Sequence, residues 1–72
     1  MANVYYKDRL IIAYAAFQQS TKLWSGGAEI TWKAAGRRQS HTLAGLSDRF
    51  KSSEEAEQFA IRAAQAWIDA DG

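Results

Sequence analysis

The chain has 72 residues, no cysteine, no proline, one histidine and a formal net charge of +1. This length predicts a single domain over residues 1–72, and the lack of cysteine excludes disulfides, thiolate metal sites and a cysteine nucleophile. No apolar run approaches the ~18 residues that span a bilayer, and the longest, residues 10–17, is interpreted as part of the fold rather than as a signal peptide. We therefore expect a cytoplasmic protein with no membrane contact.

The N-terminal third allows two interpretations. Residues 4–6 are typical of a strand, and residues 7–9 are typical of a tight turn. Residues 10–17 are interpreted as a strand because Tyr, Ile and Phe dominate their large side chains. The alternative is a helix capped by Asp8, which would change the element order from β-β-β-α to α-β-β-β-α.

The middle of the chain predicts antiparallel strands. Residues 28–33 alternate, with Ala28, Ile30 and Trp32 on one side. Residues 34–37 predict a short turn with Gly36 at positive φ, and residues 38–43 form a polar return strand at the sheet edge.

Three other segments are interpreted as interruptions of the sheet. Residues 18–22 are polar and predict a loop. Residues 25–27 contain two glycines and predict a turn or bulge at the start of the middle strand, and residues 44–46 predict a break after the return strand.

A C-terminal helix has the clearest pattern. Ser52 and Glu55 match a capping box, and residues from there to about Asp69 contain no glycine or proline. Apolar residues recur at steps of three and four along one stripe: Ala56, Phe59, Ala60, Ala63, Trp67 and Ala70. Together the elements predict an α+β, two-layer fold, in which this helix packs on an antiparallel three-stranded β-meander.

Several segments resemble one group of proteins: Val4-Tyr5-Tyr6-Lys7, Leu23-Trp24-Ser25, Ile30-Thr31-Trp32, and residues 50–57 through 67–69. The pattern resembles small uncharacterised bacterial and prophage-encoded β-β-β-α proteins, loosely the HlyU-type domain. The resemblance implies this fold and a bacterial or phage origin, and it includes no catalytic signature. Asp8 stands where those proteins have glycine, so the first turn is expected to differ.

The alternative α-β-β-β-α order is similar to that of a double-stranded-RNA-binding domain. That family places lysines at the N-terminus of its second helix to hold phosphates. The matching positions here are Glu54, Glu55 and Glu57, which would repel phosphate. This function is therefore set aside, whichever topology is correct.

The apolar strand at residues 10–17 predicts a protein interface. If Leu10, Ile12 and Tyr14 face the helix, the other row of this strand faces away, and one helix covers only one face of a sheet. The predicted interface residues are Ile11, Ala13, Ala15, Phe17 and Trp24. In the competing interpretation, the N-terminal segment and the Trp24 loop fold over that row.

The charges predict a second candidate surface. Residues 1–51 carry eight Lys/Arg against three Asp/Glu, whereas residues 52–72 carry one Arg against five acids. Basic groups interleaved with aromatic rings can hold phosphates and stack bases, which predicts weak nucleic-acid contact at the hairpin. The predicted contact residues are Lys33, Arg37, Arg38, His41 and Trp32. The competing interpretation is a solvated hairpin tip whose charges keep an edge strand soluble.

No arrangement in the sequence predicts an enzyme. His41 and Ser40 are adjacent on a strand, so their side chains point to opposite faces and cannot form a nucleophile–base pair. Phosphate-loop, dinucleotide and metal-ligand motifs are missing, and no cofactor is expected. We therefore expect a non-enzymatic accessory protein that acts by protein–protein contact, as a homodimer or as a modulator of a host protein. The alternative is a weak nucleic-acid-binding regulatory module.

Overall fold

The computed structural model describes residues 2–43 and 48–71. Within these residues the elements are β1 (Ala2–Tyr6), β2 (Arg9–Gln18), β3 (Leu23–Ala34), β4 (Arg37–Leu43) and α1 (Ser53–Asp71). The strands form one antiparallel sheet in the order β1-β2-β3-β4, and α1 packs across one face of it. The α+β class with a C-terminal helix is confirmed. No helix among these residues is both long enough and apolar enough to cross a membrane.

The predicted number of strands is too low by one. Residues 10–17 are a strand, so the helical alternative is wrong, and β1 pairs with β2 from Ala2–Ala13 to Tyr6–Arg9. Lys7 and Asp8 join these strands as a two-residue turn, with φ of 49° and 64°. Positive φ at both positions is the geometry that fits the twist of a hairpin, and Asp adopts it more readily than most residues.

The predicted turn or bulge at residues 25–27 is wrong, because β3 pairs continuously with β2 from Leu23 to Thr31. The two glycines are explained by close packing on opposite faces of the strand. A Cβ on Gly26 would collide with the Ala56 carbonyl oxygen of α1, and a Cβ on Gly27 would lie 2.5 Å from the Tyr14 ring. The turn predicted at Gly36 is confirmed, with φ of 74°. The predicted break at residues 44–46 lies outside the described residues.

The start of α1 agrees with the predicted capping box on its Ser52 side. The Glu55 amide donates a hydrogen bond to Ser52 Oγ at 3.2 Å. The buried stripe of the helix, however, follows steps of four along Ala56, Ala60, Ala64 and Ile68, with Ile61 beside it. Phe59, Ala63 and Trp67 are half-buried at the flanks, and Ala70 is exposed. Small residues line the centre of the stripe because the helix backbone approaches β3 at Gly26.

The core lies between this stripe and the side chains of β2 and β3. Ile11, Ala13, Ala28 and Ile30 are each 0% exposed. The predicted orientation of β2 is therefore reversed, since the row that was expected to face away from the helix packs against it. The physical reason is space: small side chains and Gly26 allow α1 to come close, and the Tyr14 ring would not fit in that layer.

Both ends of α1 are anchored to the sheet. Near its N-terminus, Phe50 and Trp24 exchange two backbone hydrogen bonds of 2.7 and 2.9 Å, which extend the edge of β3. Near its C-terminus, Asp69 accepts hydrogen bonds from the Tyr6 hydroxyl at 3.0 and 3.1 Å and from Lys7 Nζ at 2.6 Å. These contacts hold the helix along β2 and β3 and leave the opposite face of the sheet uncovered by any described element.

Candidate interaction surface

The face of the sheet opposite α1 is called the open face. Alternation along the strands assigns residues to it, because residues that pair across strands lie on the same side. Among its members are Asn3 and Tyr5 of β1, Leu10, Ile12 and Tyr14 of β2, Glu29, Thr31 and Lys33 of β3, and Arg38, Ser40 and Thr42 of β4. The strand period that buries Ile11 and Ile30 under the helix therefore presents this second set to solvent.

An apolar strip follows β1 and β2 on the open face. Tyr5 is 79% exposed and Tyr14 is 37% exposed, while Leu10 and Ile12 are half-buried between their neighbours. Tyr5 and Leu10 are direct partners across the two strands. A tyrosine ring that is almost fully exposed beside aliphatic side chains is typical of a surface that contacts another molecule.

A groove of about 470 Å³ lies at the hairpin end of the open face, lined by Tyr5, Asp8, Leu10, Thr31, Trp32, Lys33 and Arg38. Lys33 and Arg38 are direct partners in the β3–β4 register, so their charges sit side by side. Thr31 is only 9% exposed. The groove therefore combines an exposed ring, two cations and one carboxylate.

The charges of the open face are distributed along β3 with opposite signs. Glu29 and Lys33 are separated by Thr31, and all three side chains point to the same side. Arg38 lies next to Lys33 and Thr42 lies next to Glu29 on β4. The face therefore has a positive end near the β3–β4 turn and a negative position two rows away from it.

The predicted interface residues do not form one exposed surface. Ile11 and Ala13 are fully buried under α1, so they cannot contact a partner while the helix is docked. Ala15 is half-buried on the same side. Phe17 is 47% exposed and packs edge-on against Trp24 at 5.2 Å between ring centroids. These two rings lie on the helix side of the sheet, near the Phe50 bridge.

The structure also divides the predicted nucleic-acid residues between two faces. Lys33 and Arg38 lie on the open face, whereas Trp32, Arg37 and His41 belong to the helix side. His41 stacks on Trp67 of α1, with ring centroids 4.2 Å apart and planes 7° apart. The single cluster expected at the hairpin is therefore split.

Two residues that sequence reasoning did not select are prominent in the structure. Tyr5 is the most exposed large apolar side chain of the described residues. Arg9 places its guanidinium carbon 4.7 Å from the centroid of the Trp32 ring, on the helix side. The sequence does contain a signal for the exposure of one tyrosine, because Tyr5 and Tyr6 are consecutive. Consecutive residues of a strand point to opposite faces, so one of the two rings must lie on the face away from the helix.

The ion pair at the end of α1 perturbs the titration of both partners. The hydrogen bond from Lys7, and then that from Tyr6, lowers the pKa of the Asp69 carboxyl below its usual value. The hydrogen bond to Asp69 raises the pKa of the Lys7 ammonium. Both side chains are well exposed, at 62% and 49%, so this pair fastens the helix end to the β1–β2 turn only weakly.

No group of three or more His, Cys, Asp or Glu side chains that could hold a metal ion occurs within residues 2–43 and 48–71. A second groove, of about 390 Å³, lies along the N-terminal half of α1 and is lined by Phe50, Glu54, Glu55, Gln58, Phe59 and Arg62. No family model matches the chain, and no curated protein or solved structure matches it significantly.

Proposed function

We propose that this protein acts by binding another protein through the open face of its sheet. The observation that carries the proposal is the uncovered face itself, on which Tyr5 is 79% exposed beside the half-buried Leu10 and Ile12. An exposed apolar strip with charged residues beside it is typical of a surface that contacts another protein. Exposed tyrosine contributes a large, rigid contact area with little loss of conformational entropy.

The proposed role is that of a non-enzymatic accessory protein that needs no cofactor. Its one histidine is committed to a packing contact with Trp67, which supports a structural use of that side chain. The resemblance to bacterial and prophage-encoded proteins supports a cytoplasmic setting in a bacterium. Modulation of a host protein is one form that such binding would take.

The proposal is tested by placing a photoreactive benzoylphenylalanine at Tyr5, in the full chain incubated with a bacterial extract. We expect one discrete crosslinked species, formed by the chain with itself or with one other protein, and its loss in the variant Ile12→Glu. The matched control carries the same group at Gln58, which is exposed on α1. Equal labelling from both positions would contradict the proposal.

The orientation of β2 supplies a second control in the same experiment. Ile12→Glu adds a charge on the open face and leaves the core intact, so the variant should remain folded. Ile11→Glu places a carboxylate in a site that is 0% exposed and should unfold the domain. Circular dichroism of both variants separates loss of contact from loss of structure.

The adjacent Lys33 and Arg38 favour a second candidate function, contact with single-stranded nucleic acid. The Tyr5 ring lies in the same groove and offers a stacking surface for a base. Glu29 and Asp8 on this side of the sheet oppose phosphate binding, which is why the protein interface is preferred. A labelled oligonucleotide at low salt tests this function: binding should weaken with salt and with Lys33→Ala plus Arg38→Ala. No binding at low salt would exclude it.

A further inference from the structure

We propose that the partner of the open face is a second copy of this chain, related by a two-fold axis that crosses the strands at one defined row. This inference rests on the proposed function and specifies its occupant. The row consists of residues that the register places side by side, Tyr5, Leu10, Thr31 and Ser40. The axis lies in the plane between the two sheets, parallel to this row.

The charge pattern of β3 carries the argument. Glu29 and Lys33 lie two residues to either side of Thr31 and point to the same face. A two-fold axis across the strands reverses strand direction and keeps each strand opposite its own copy. Glu29 therefore meets Lys33 of the partner subunit, and symmetry makes this contact twice.

The same axis also fixes the contacts of the other residues. Asp8, which lines the groove beside Lys33, comes toward Ile12 of the partner subunit, but it lies in the exposed β1–β2 turn at the rim of the overlap, where its carboxylate stays in water. Leu10 and Tyr5 lie on the axis row, so each apolar side chain meets its own copy. Arg38, the neighbour of Lys33, comes opposite Thr42 of the partner subunit. The apolar contacts thus occupy the β1–β2 half of the interface, and the charged contacts occupy the β3–β4 half beside them.

Other two-fold arrangements bring unfavourable contacts. An axis through the row of Ile12 and Glu29 would bring Glu29 against its own copy, which places two carboxylates together. An axis that runs along the strands between β2 and β3 would place Glu29 over Ile12 of the partner subunit. That arrangement brings Lys33 near Asp8 of the partner subunit, but it removes the Glu29 carboxylate, in the middle of β3, from water without supplying a cation.

The area of the face sets the expected affinity. The axis row lies close to the turns, so the two copies overlap for about eight residues on β3 and β4 and about five on β1 and β2, which covers roughly 400 Å² on each copy. The total of about 800 Å² is below the size of a stable specific interface. We therefore expect a weak, transient dimer rather than a permanent one.

Sedimentation equilibrium of the purified full chain, from about 5 µM to about 1 mM, tests the inference. We expect the mass to rise from monomer toward dimer across this range. Glu29→Lys alone and Lys33→Glu alone should each weaken the dimer by about tenfold or more, because each creates like-charge contacts. The two changes together exchange the charges and should restore dimerisation. The control Glu54→Lys, on the exposed side of α1, should leave it unchanged.

Crosslinking tests the position of the axis independently. The chain has no cysteine, so a single introduced cysteine reports one site. Ser40→Cys lies on the axis row and should link to its own copy through a bis-maleimide of about 10 Å, the spacing of packed sheets. Thr42→Cys lies one row away, which places its two copies farther apart, and should link poorly.

A mass that stays monomeric at the highest concentration would overturn the inference, and so would a double variant no better than the single ones. The proposed function has a separate outcome. Crosslinking from Tyr5 to one other protein, with the purified chain monomeric, would reject the second copy as partner and leave the open face as a binding surface. If the purified chain stays monomeric and position 5 gives no crosslinked species, both proposals are rejected.

Discussion

Gly26 of β3 lies directly against the backbone of Ala56 in the first turns of α1. A Cβ at position 26 would collide with the Ala56 carbonyl oxygen and would stand 3.4 Å from Cβ of Ala60. This contact sets the distance between the helix and the sheet. The alanine-rich stripe of α1 and the glycine of β3 therefore serve one purpose, which is close approach of two backbones.

We expect Gly26→Ala to destabilise the fold by about 2–3 kcal/mol, because a backbone atom must move to make room for the methyl group. Gly27→Ala is the matched control on the neighbouring residue. Its methyl group would meet only the far end of the Tyr14 side chain, which is 37% exposed and can turn aside. Chemical denaturation should therefore show a change within about 1 kcal/mol for Gly27→Ala. Equal losses for the two variants would contradict this account.

The β3–β4 turn leaves room for a stabilising change. Ala35 has φ of 53° and precedes Gly36 at 74°, a pair of positive values for which Asn-Gly is preferred over Ala-Gly. We expect Ala35→Asn to raise the free energy of unfolding by about 0.5–1 kcal/mol, since Asn adopts this conformation with less strain. Ala34→Asn, in the adjoining strand, should not stabilise. A lower thermal midpoint for Ala35→Asn would show that the turn geometry is different.

Removal of the helix cap should have a local cost. Ser52 Oγ accepts a hydrogen bond from the Glu55 amide, so Ser52→Ala should destabilise the domain by about 1 kcal/mol. Ser53→Ala changes the first residue of α1 and removes no capping hydrogen bond among those described, so it serves as the control. Thermal unfolding followed by circular dichroism compares the two. A cap that contributes nothing would give indistinguishable curves.

The Lys7–Asp69 pair predicts a pH-dependent coupling. The pKa of Asp69 is lowered, so its contribution is present above about pH 4, the usual value for Asp, and is lost as pH falls through the lowered pKa. The pKa of Lys7 is raised, so its contribution is present below about pH 10 and is lost as pH rises through the raised pKa.

A double-mutant cycle with Lys7→Gln and Asp69→Asn measures this coupling apart from the other charges of the helix end. We expect a small favourable coupling free energy at pH 7 that vanishes at both extremes of pH. It should also shrink at high salt, because both groups are exposed. A coupling that survives protonation of Asp69 would mean that the contact is not ionic.

The sequence predicts that the side chains of β2 alternate between two rows. It does not predict which of these rows faces the helix. Both rows of this strand are apolar, so hydropathy alone did not say whether Ile11 or Ile12 lies under the helix. The deciding signal is in β3, where the small residues Gly26 and Ala28 lie on the face that α1 approaches closely. A pair of glycines in a strand predicts a bulge, but here the pair is explained by close packing on both faces of β3.

The candidate surface was predictable only in part, for a related reason. The sequence indicated an uncovered apolar row on β2 and charges near the β3–β4 turn. Which of them share a face depends on strand register, which brings Lys33 beside Arg38 and moves His41 to the other side. Residues 4–6 are typical of a strand, but the sequence does not indicate which face of the sheet Tyr5 occupies, so its exposure could not be predicted.

The two faces of the sheet also differ in the aromatic residues that can report on them by spectroscopy. Trp24, Trp32 and Trp67 all lie on the helix side, and two of the three tyrosines, Tyr5 and Tyr14, lie on the other. Tryptophan emission should therefore report whether the helix is docked. Ring resonances of Tyr5 and Tyr14 in an NMR spectrum should instead report whether the open face is occupied. The same protein can thus be titrated with denaturant and with a partner. Undocking of the helix is then followed by tryptophan, and occupation of the open face is followed by tyrosine.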